Sequence, residues 1–450
     1  MYESRILSQT ETGLEVASIL GAFSHALDLT EGQPAGHCLR ACYIAVRIAE
    51  RLGLPAAESA DVHYAVLLKD LGCSSNAARL HELYKADDRA FKQDYKVIAP
   101  GLPATLRFVL GNTARNQPLR RRVAAIANIL RNGEHIAQEL ILTRCTRGSD
   151  IARDLRFGDG VCRGIYHLDE HWDGSGRPEG LRGHAIPLPS RLALLAQIAD
   201  VFLQQGGAGA ACYEVSRRAG GWLDPHLVEE FLALGADPQF WADLASPVLE
   251  ARVAAMAPAD VRELDDAFLD AITAAFGKVI DAKSPFTAGH SERVAEFAEG
   301  LGARMDLLPA RLRQLRRAAA LHDVGKLGVS SAILEKPGKL DDQEWQQMRG
   351  HAAHTRAILA RIAPLAELAD MAAAHHERLD GAGYPLQLAD RAIRRETRII
   401  TVCDFYDALT ADRPYRAAMP QEKALAIMAG EVGKAVDGEC FAALRSMVGN

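Results

Sequence analysis

Two adjacent pairs of residues carry the strongest chemical signal in the sequence. One pair is His322-Asp323, and the other is His375-His376. Successive residues on a helix point about 100° apart, so both members of a pair can face one ion only where the local backbone is arranged for it. Imidazole nitrogens and carboxylate oxygens are common ligands of transition metals. Two such pairs in one chain therefore predict more than one metal ion, and catalysis rather than a purely structural site.

Further candidate ligands lie in the same part of the chain. Six histidines follow residue 262, and five of them belong to the candidate set, whereas we expect the sixth, His354, to be a solvated residue on a helix face. Imidazoles mixed with carboxylates favour iron, manganese, nickel or zinc over calcium and magnesium, which prefer oxygen ligands alone. Asp404 lies in an otherwise apolar segment, where a carboxylate is costly unless it is paired or binds a metal. An ion pair with Arg398 or Arg413 is the alternative explanation for Asp404.

The elements that must hold these residues are predicted to be helices. Apolar residues recur at helical spacing, for example at Val294, Phe297, Ala298 and Leu301. Runs of alternating β-branched residues are nearly absent, so we predict an all-α fold. The chain has 450 residues, of which 48% are hydrophobic and 24% are charged. These values are typical of a soluble globular protein with two or three domains.

Charge and hydropathy exclude several classes of protein. The net charge of −6 gives no basic signal for a nucleic-acid polymer. No apolar stretch is long enough to insert into a membrane, and the N-terminus lacks the pattern of a signal peptide. The eight cysteines are scattered without a paired motif, so we expect reduced thiols. Together these features predict a cytoplasmic location.

The sequence also repeats itself. His37 and Arg40 recur as His290 and Arg293 at an offset of 253 residues (290 − 37), which carries Lys69-Asp70 onto His322-Asp323. A later run from His171 to Pro178 matches the run from His376 to Pro385 if two residues are deleted. We therefore predict two similar domains, at residues 1–235 and 262–450, joined by a linker at 236–261. The first domain carries an insertion, rich in arginine and lysine, between residues 74 and 134.

The N-terminal copy has lost part of the candidate metal set. Lys69 replaces the histidine of the His-Asp pair, and a charged ammonium cannot bind a metal ion, although it can replace a missing cation electrostatically. We therefore expect a structural or regulatory role for this copy rather than catalysis. The retained candidates are His37, Asp70, His135 and His171, and the expected replacements are Glu170 for His375, Gln197 for Asp404 and Cys73 for Lys326.

The C-terminal motifs resemble a known family. His322-Asp323 is similar to the signature of the HD superfamily of metal-dependent phosphohydrolases. The run from His375 through Gly383-Tyr384-Pro385 resembles the HD-GYP family of cyclic di-GMP phosphodiesterases. The resemblance covers roughly residues 270–445 and includes separate motifs in the same order, namely 286–294, 322–326, His351, 375–385, Asp404 and 407–416. It implies a tandem pair of HD-type helical bundles, of which the first is degenerate.

The resemblance also implies a ligand set. One ion would be held by His290, His322, Asp323 and Asp404, and Asp323 would bridge to a second ion held by His351, His375 and His376. Family members with a third ion use a glutamate where this chain has Phe286, so we expect two divalent transition-metal ions. Iron or manganese is the first expectation, with nickel or zinc as alternatives. Two ions about 3.5–4 Å apart can share a hydroxide that attacks a phosphodiester.

Residues near the ligands are expected to contact the substrate. Lys326 lies about one helical turn after His322 and would place a positive charge near a phosphate oxygen, although an exposed lysine is the alternative. Gly383, Tyr384 and Pro385 are expected at the edge of the substrate site, although a plain tight turn explains the glycines equally well. Arg293 either reaches the substrate or braces a metal ligand.

These observations predict a phosphodiesterase that hydrolyses cyclic di-GMP to pGpG, GMP or both in bacterial second-messenger signalling. An HD phosphohydrolase acting on another cyclic dinucleotide or nucleotide is the second interpretation. A non-catalytic nucleotide-binding or adaptor protein with a vestigial metal site is the third, and the intact C-terminal ligand set argues against it. The sequence leaves a homodimer and signalling-protein partners open.

Overall fold

The structure is a computed structural model that describes residues 2–98, 101–115, 117–258, 265–412 and 416–449, with side chains from residue 16 onwards except at residue 102. Within these ranges the regular structure is helical and no β-strand occurs, which confirms the predicted all-α fold. The chain divides into two compact units, Met1–Phe268 and Leu269–Asn450, called the N-terminal unit and the C-terminal unit below. None of the described helices is both long and apolar enough to cross a lipid bilayer.

The N-terminal unit is built mostly from long helices. Its largest elements are α7 and α9, and α9 contains a kink at Gly207. Buried apolar side chains line the contacts of α2 with α3 and α9. The described helices of this unit are α1 (Tyr2–Glu31), α2 (His37–Arg51), α3 (Ala56–Leu67), α4 (Ala77–Tyr84), α5 (Asp88–Lys96), α6 (Leu102–Asn112), α7 (Leu119–Asp154), α8 (Asp159–Tyr166), α9 (Leu188–Arg217), α10 (Pro225–Gly235), α11 (Pro238–Leu244) and α12 (Leu249–Ala255).

The segment expected as a linker contains packed helices up to Ala255. Both α11 and α12 belong to the N-terminal unit, and α12 packs against α1 and α2. The Tyr43 hydroxyl on α2 donates to Asp243 of α11 at 2.7 Å. Alanine and proline content suggested a connecting segment, but Pro238 lies in the first turn of α11, where proline fits a helix. The predicted domain boundary at 261–262 lies outside the described residues.

The C-terminal unit has shorter helices joined by 3-10 turns. The helix α13 begins just before the unit boundary and continues into the unit. The described 3-10 segments of the C-terminal unit are Pro285–Thr287, Val324–Gly328, Ala363–Leu368 and Asp390–Ala392. The described α-helices are α13 (Asp266–Asp281), α14 (His290–Arg304), α15 (Pro309–Leu321), α16 (Ser331–Leu334), α17 (Asp342–Leu359), α18 (Ala369–Ala373), α19 (Arg395–Thr410), α20 (Gln421–Gly430) and α21 (Gly438–Val448).

Local sequence signals explain where the helices near the candidate ligands begin. The Asp341 side chain accepts a hydrogen bond from the Glu344 backbone at 2.9 Å, and the Glu344 side chain accepts one from the Asp341 backbone at 2.8 Å, which is a capping box at the start of α17. Pro309 occupies the first turn of α15, where its missing N–H leaves no hydrogen bond unmade. Helix α14 packs against α15 and α19, and α17 packs against α18 and the Val324–Gly328 turn.

A close backbone approach requires glycine at position 325. A Cβ atom there would overlap the carbonyl oxygen of His351 and lie 2.7 Å from the backbone nitrogen of Thr355. The Thr355 hydroxyl bridges the same two segments, because it donates to the His322 carbonyl and accepts from the Gly325 N–H, each at 3.0 Å. The turn after His322-Asp323 is thereby held directly against α17, which carries His351.

Candidate metal centre

The structure brings all seven predicted ligands together in the interior of the C-terminal unit. Their ligand atoms fall into overlapping groups in which every atom lies within 4.8 Å of the others. The seven residues come from five local segments, because two of the segments supply an adjacent pair, so the cluster depends on the packing of several helices. The groups are His290, His322 and Asp404; His322, Asp323 and His375; and His351, His375 and His376.

Asp323 lies between the two sides of the cluster. Its Oδ2 atom is 3.6 Å from Nε2 of His290 and 3.4 Å from Nε2 of His322. Its Oδ1 atom is 3.6 Å from Nε2 of both His351 and His375. The two oxygens of one buried carboxylate therefore face two different pairs of imidazoles, which is the arrangement that a bridging ligand requires.

Each side of the cluster is completed by a further side chain. The Asp404 Oδ1 atom lies 3.4 Å from Nε2 of His290 and 3.8 Å from Nε2 of His322, on the first side. On the second side, the Nε2 atoms of His351 and His375 are 3.5 Å apart, and the His376 ring lies 4.0 Å from that of His375. These separations are too long for strong direct hydrogen bonds, and they match ligands that surround a common centre.

Hydrogen bonds on the outer side of the rings fix their orientation. Nδ1 of His322, His351 and His375 contacts the carbonyl oxygens of Ala319, Met348 and Ala372 at 2.7, 2.5 and 2.6 Å. A carbonyl oxygen only accepts, so each Nδ1 must carry the proton and each neutral ring keeps a lone pair on Nε2. The three lone pairs point into the cluster, as in histidines that bind metals.

Several buried polar atoms in the cluster have no hydrogen-bond partner among the described residues. They are Nε2 of His290, Nε2 of His322 and Oδ1 of Asp323. Buried polar groups are normally satisfied, and unsatisfied ones cost free energy. A transition-metal ion satisfies a nitrogen lone pair and a carboxylate oxygen together, so the donor set fits a metal on chemical grounds.

Burial keeps most of these rings available as ligands. It is the main cause that lowers the pKa of His351 to about 3 and that of His376 to about 4. The pKa of Asp323 is also lowered, because the attraction of Lys326 and His322 outweighs the opposing effect of burial. The second side of the cluster therefore presents the neutral imidazoles of His351, His375 and His376 at physiological pH, the form that binds metals. Burial lowers the pKa of His290, but hydrogen bonds with Asp323, Asp404 and Asp407 outweigh burial and raise that pKa well above its usual value, so a metal ion would have to displace this proton.

Asp407 braces the first side of the cluster and was not assigned a role from the sequence. Its Oδ2 atom accepts from Nδ1 of His290 at 2.7 Å, and its Oδ1 atom accepts from Nε of Arg293 at 2.6 Å. This carboxylate lies one turn after Asp404 on α19, so the two acidic groups share a helix face. That spacing was the available signal, since one carboxylate can act as a ligand while the next orients a ligand.

Comparison with known proteins places these residues in a family. The profile of the HD domain family matches residues 124–226 and 275–440. The chain is 49% identical over 440 residues to 3'3'-cGAMP-specific phosphodiesterase 3 of Vibrio cholerae, which is 98% of this chain and 96% of that protein. The chain belongs to the HD domain family. Its sequence motifs and its relatives make it a metal-dependent phosphodiesterase of the HD-GYP type.

Two further comparisons support membership in the HD-GYP group. The crystal structure of a cyclic GMP-AMP specific phosphodiesterase of V. cholerae has a TM-score of 0.66 and 45% identity, covering 96% of this chain and 97% of that one. A cyclic di-GMP phosphodiesterase of Pseudomonas aeruginosa is 37% identical over 165 residues, which is 36% of this chain and 40% of that protein. The structural similarity covers both units, which agrees with the predicted tandem HD-type fold.

Two of the predicted substrate residues, Lys326 and Arg293, contact aspartates of the cluster region. The Lys326 ammonium contacts Oδ2 of Asp323, beside the cluster. The Arg293 guanidinium forms a salt bridge with Asp407 and also donates to the Ala288 carbonyl at 2.9 Å. Its contacts therefore hold Asp407, which in turn orients the ligand His290.

The Gly383-Tyr384-Pro385 loop lies over the histidine pair. Gly383 is packed against the backbone of residues 376–378, where a Cβ would overlap main-chain atoms. The ring of Tyr384 stacks near His376, with 4.8 Å between their centroids. The loop therefore lies at the cluster, and the close approach that requires glycine is to the chain itself.

The alternative ion pairs proposed for Asp404 are only partly described. Arg398 pairs instead with Asp437 at 2.8 Å and with Asp390 at 3.5 Å. Arg413, like the rest of residues 413–415, lies outside the described residues. His354 is exposed on α17, as expected, and Phe286 is half-buried and offers no ligand atom.

The N-terminal HD copy retains the brace found around His290. His37 Nδ1 contacts Oδ2 of Asp200 at 2.6 Å, and Arg40 Nε donates to Oδ1 of Asp200 at 2.5 Å. The same histidine, aspartate and arginine geometry thus occurs in both HD copies. His135 is exposed and His171 stacks on Trp222, so neither joins His37.

The expected equivalence of Glu170 and His375 is wrong. Glu170 accepts hydrogen bonds from the backbone of Glu179, Gly180 and Leu181, as Glu377 does from Leu386 and Leu388. The two glutamates are therefore equivalent at an offset of 207 residues (377 − 170), and no deletion is needed. The same offset places Leu168 and Asp169 at the positions of the histidine pair.

Cationic side chains occupy the remaining ligand positions of the N-terminal copy. A Cβ at Gly72 would meet the Arg144 carbonyl just as one at Gly325 would meet that of His351, so Arg144 corresponds to His351. Arg144 forms a salt bridge with Asp169, and Lys69 forms one with Asp70 while its ammonium lies 3.1 Å from Nε2 of His37. Ligands on both sides of the C-terminal cluster are thus replaced by arginine and lysine.

A second acidic group in the N-terminal unit is also neutralised internally. The ligand atoms of Glu31, Asp70 and Cys73 lie close enough to surround an ion. However, Glu31 pairs with Lys92 at 3.1 Å and with Lys96 at 2.7 Å. Because ammonium groups already supply the positive charge, this group is not a candidate metal site.

Proposed function

We propose that the C-terminal unit hydrolyses a phosphodiester bond of a 3'3'-cyclic dinucleotide, with two divalent transition-metal ions bound at the histidine and aspartate cluster. The observation that supports this proposal best is the position of Asp323, whose two oxygens face two separate pairs of histidines. A single ion would serve only one of the two pairs of histidines. A pair of ions would serve both pairs of histidines, with Asp323 between them.

The proposed ligands follow the two sides of the cluster. The first ion would be held by His290, His322, Asp323 and Asp404, and the second by Asp323, His351, His375 and His376. Nitrogen and carboxylate ligands suit iron or manganese, and nickel and zinc are alternatives. Phe286 stands where a third carboxylate would be required, so the proposal remains at two ions.

The chain's own residues would position the substrate and stabilise charge. Bound metal ions would supply Lewis acidity and an activated water molecule. Lys326 places an ammonium beside Asp323, where it can stabilise negative charge on a phosphate oxygen as the bond breaks. Asp407 and Arg293 hold His290 in one tautomer and orientation. The Tyr384 ring limits access of water from the side of His376.

The first substrate to test is 3'3'-cGAMP. The relative that spans nearly the whole chain is named as specific for that dinucleotide. Cyclic di-GMP, the substrate expected from the sequence motifs, is the second candidate, because relatives that match about a third of the chain carry that activity in their names. Hydrolysis would open the ring to a linear dinucleotide, and a second cleavage would give mononucleotides such as GMP.

The test combines metal analysis with turnover. Purified full-length protein, loaded anaerobically with iron or manganese, is offered 3'3'-cGAMP, cyclic di-GMP and cyclic di-AMP, and the products are separated by chromatography. Asp323→Ala is expected to lose metal and turnover together, since it removes the proposed bridge. His37→Ala, which changes the equivalent of His290 in the other HD copy, is expected to keep most activity, with thermal melts confirming that it folds.

Two outcomes would contradict the proposal. Full activity of Asp323→Ala would show that the cluster is not the catalytic site. A wild-type protein with a full complement of metal that cleaves none of the three dinucleotides would favour a non-catalytic adaptor instead.

A further inference from the structure

A column of stacked side chains leads away from the candidate metal centre along α17. The guanidinium of Arg349 lies 5.5 Å from the centre of the Tyr384 ring and 5.7 Å from the centre of the Trp345 ring. The Tyr384 ring also lies close to His376, with 4.8 Å between centroids and 32° between planes. The order from the cluster outwards is His376, Tyr384, Arg349 and Trp345.

Part of this column is an ordinary helix contact, and part of it is not. Trp345 and Arg349 are four residues apart on α17, and such pairs stack on many helices. Tyr384, however, comes from the Gly383-Tyr384-Pro385 loop, so Arg349 connects two separate elements at the edge of the cluster. The guanidinium group thus lies within cation–π distance of two rings.

The outer end of the column remains open to solvent. Trp345 is 45% exposed, although tryptophan is one of the side chains most favourable to bury. Large exposed aromatic rings near a binding site commonly act as contact surfaces for a ligand. Six residues of helix separate Trp345 from His351, a distance of about 9 Å along the axis. That separation suits a ligand whose phosphate binds at the cluster and whose ring system extends outwards.

We propose that Trp345 and Arg349 form a stacking platform for one nucleobase of the substrate; the proposal rests on the function proposed above, a cyclic dinucleotide phosphodiesterase. Every nucleobase has a flat π face, and aromatic rings and guanidinium planes are the side chains that stack on such faces. The platform would hold the base while the attached phosphodiester lies at the histidine cluster. Trp345 and Arg349 would therefore govern binding of the dinucleotide and would have no part in breaking the bond.

The test compares substrates with and without a base. Turnover of 3'3'-cGAMP and of methyl p-nitrophenyl phosphate, a diester without a nucleobase, is measured for wild type, Trp345→Ala, Trp345→Phe and Arg349→Gln. For the dinucleotide, Trp345→Ala is expected to lower kcat/KM by about tenfold, mainly through KM, because a base stacked on an aromatic side chain is commonly worth that factor or more. Trp345→Phe should restore most of the loss, and the simple diester should be unaffected.

A matched control is Tyr213→Ala, which removes an exposed aromatic ring of the N-terminal unit. The platform is refuted if Trp345→Ala leaves both substrates unchanged, or lowers both by the same factor, as a purely structural role would. Titration calorimetry with the dinucleotide distinguishes failure of the stacking platform from failure of the proposed function. If the wild type binds but does not cleave it, the proposed activity fails, while the ratio of the affinities of wild type and Trp345→Ala still decides the platform. Absence of dinucleotide binding would overturn both.

Discussion

Replacing Asp407 by asparagine is expected to weaken metal binding at the C-terminal cluster, although Asp407 itself is not a proposed ligand. The carboxylate accepts from Nδ1 of His290 at 2.7 Å and from Nε and Nη2 of Arg293 at 2.6 and 3.0 Å. An asparagine has one oxygen and one NH2 group, so it cannot accept all three hydrogen bonds, and its NH2 group must face either His290 or Nε of Arg293. If the oxygen stays with Arg293, the NH2 group faces His290 and moves the ring proton to Nε2, where a metal ligand needs a lone pair.

The size of the effect follows from this loss. Removing the carboxylate partner of a metal-binding histidine typically costs 10- to 100-fold in metal affinity, about 1.4–2.8 kcal/mol. The lost hydrogen bonds to a charged partner should also lower the free energy of unfolding by about 1.5–3 kcal/mol. Metal affinity is measured anaerobically by competition with a chromophoric chelator, and stability is measured by urea unfolding of the metal-free protein.

The N-terminal copy supplies a matched control for this experiment. Asp200 makes the same contacts with His37 and Arg40, but Lys69 stands where a metal-binding histidine would be. Asp200→Asn should therefore cause a similar loss of stability and no loss of metal affinity. The reasoning is refuted if both variants lose metal equally, or if Asp407→Asn binds metal as tightly as the wild type does.

Three further changes test other parts of the structure. Gly325→Ala should lower the free energy of unfolding by about 1–3 kcal/mol in urea and reduce the amount of bound metal, because its Cβ would overlap the His351 carbonyl. Gly338→Ala is the control, because a Cβ there meets open space, and it should change neither quantity. Lys69→Met should lower the free energy of unfolding by about 3–5 kcal/mol and leave the metal content unchanged, because it leaves Asp70 buried without its ammonium partner. Unchanged stability would exclude a stabilising pair between Lys69 and Asp70. Burial lowers the pKa of His63 from 6.5 to about 4, so the unfolded chain binds a proton that the folded chain does not. The contribution of His63 to the free energy of unfolding is therefore fully present above pH 6.5 and should fall by about 3 kcal/mol towards pH 4. His63→Leu should reduce the fall in stability towards pH 4 by that amount in urea titrations at stepped pH.

The sequence was sufficient to predict the helical class and the candidate ligands, for a physical reason. Histidines and aspartates in apolar helical segments are conspicuous, because burial of such groups requires a partner. His322, Asp323 and Asp404 could therefore be singled out before their distances were known. Their convergence within a few ångströms depends on the packing of α14, α15, α17 and α19, which residue types alone do not specify.

The residues that were missed or misplaced are those defined by contacts. Asp407 acts through His290 and Arg293, and only their distances show that it braces one ligand. Glu170 was aligned with His375 because both precede a similar loop, but its hydrogen bonds to the following loop make it the equivalent of Glu377. Arg144 was overlooked because an arginine on a long helix is usually exposed.

The two HD copies solve the same electrostatic problem in different ways. Each fold brings buried carboxylates to the centre of a helical bundle, where their charge is costly unless an opposite charge lies beside it. In the C-terminal copy, Lys326 contacts one oxygen of Asp323, and the other oxygen faces the imidazoles of His351 and His375, where a metal ion would complete the neutralisation. In the N-terminal copy, Lys69 beside Asp70 and Arg144 beside Asp169 supply that charge from the chain itself. Because the brace of Asp200 is retained while the metal ligands are not, the scaffold can be kept by selection for folding alone, and the chemistry is left to the copy that requires metal.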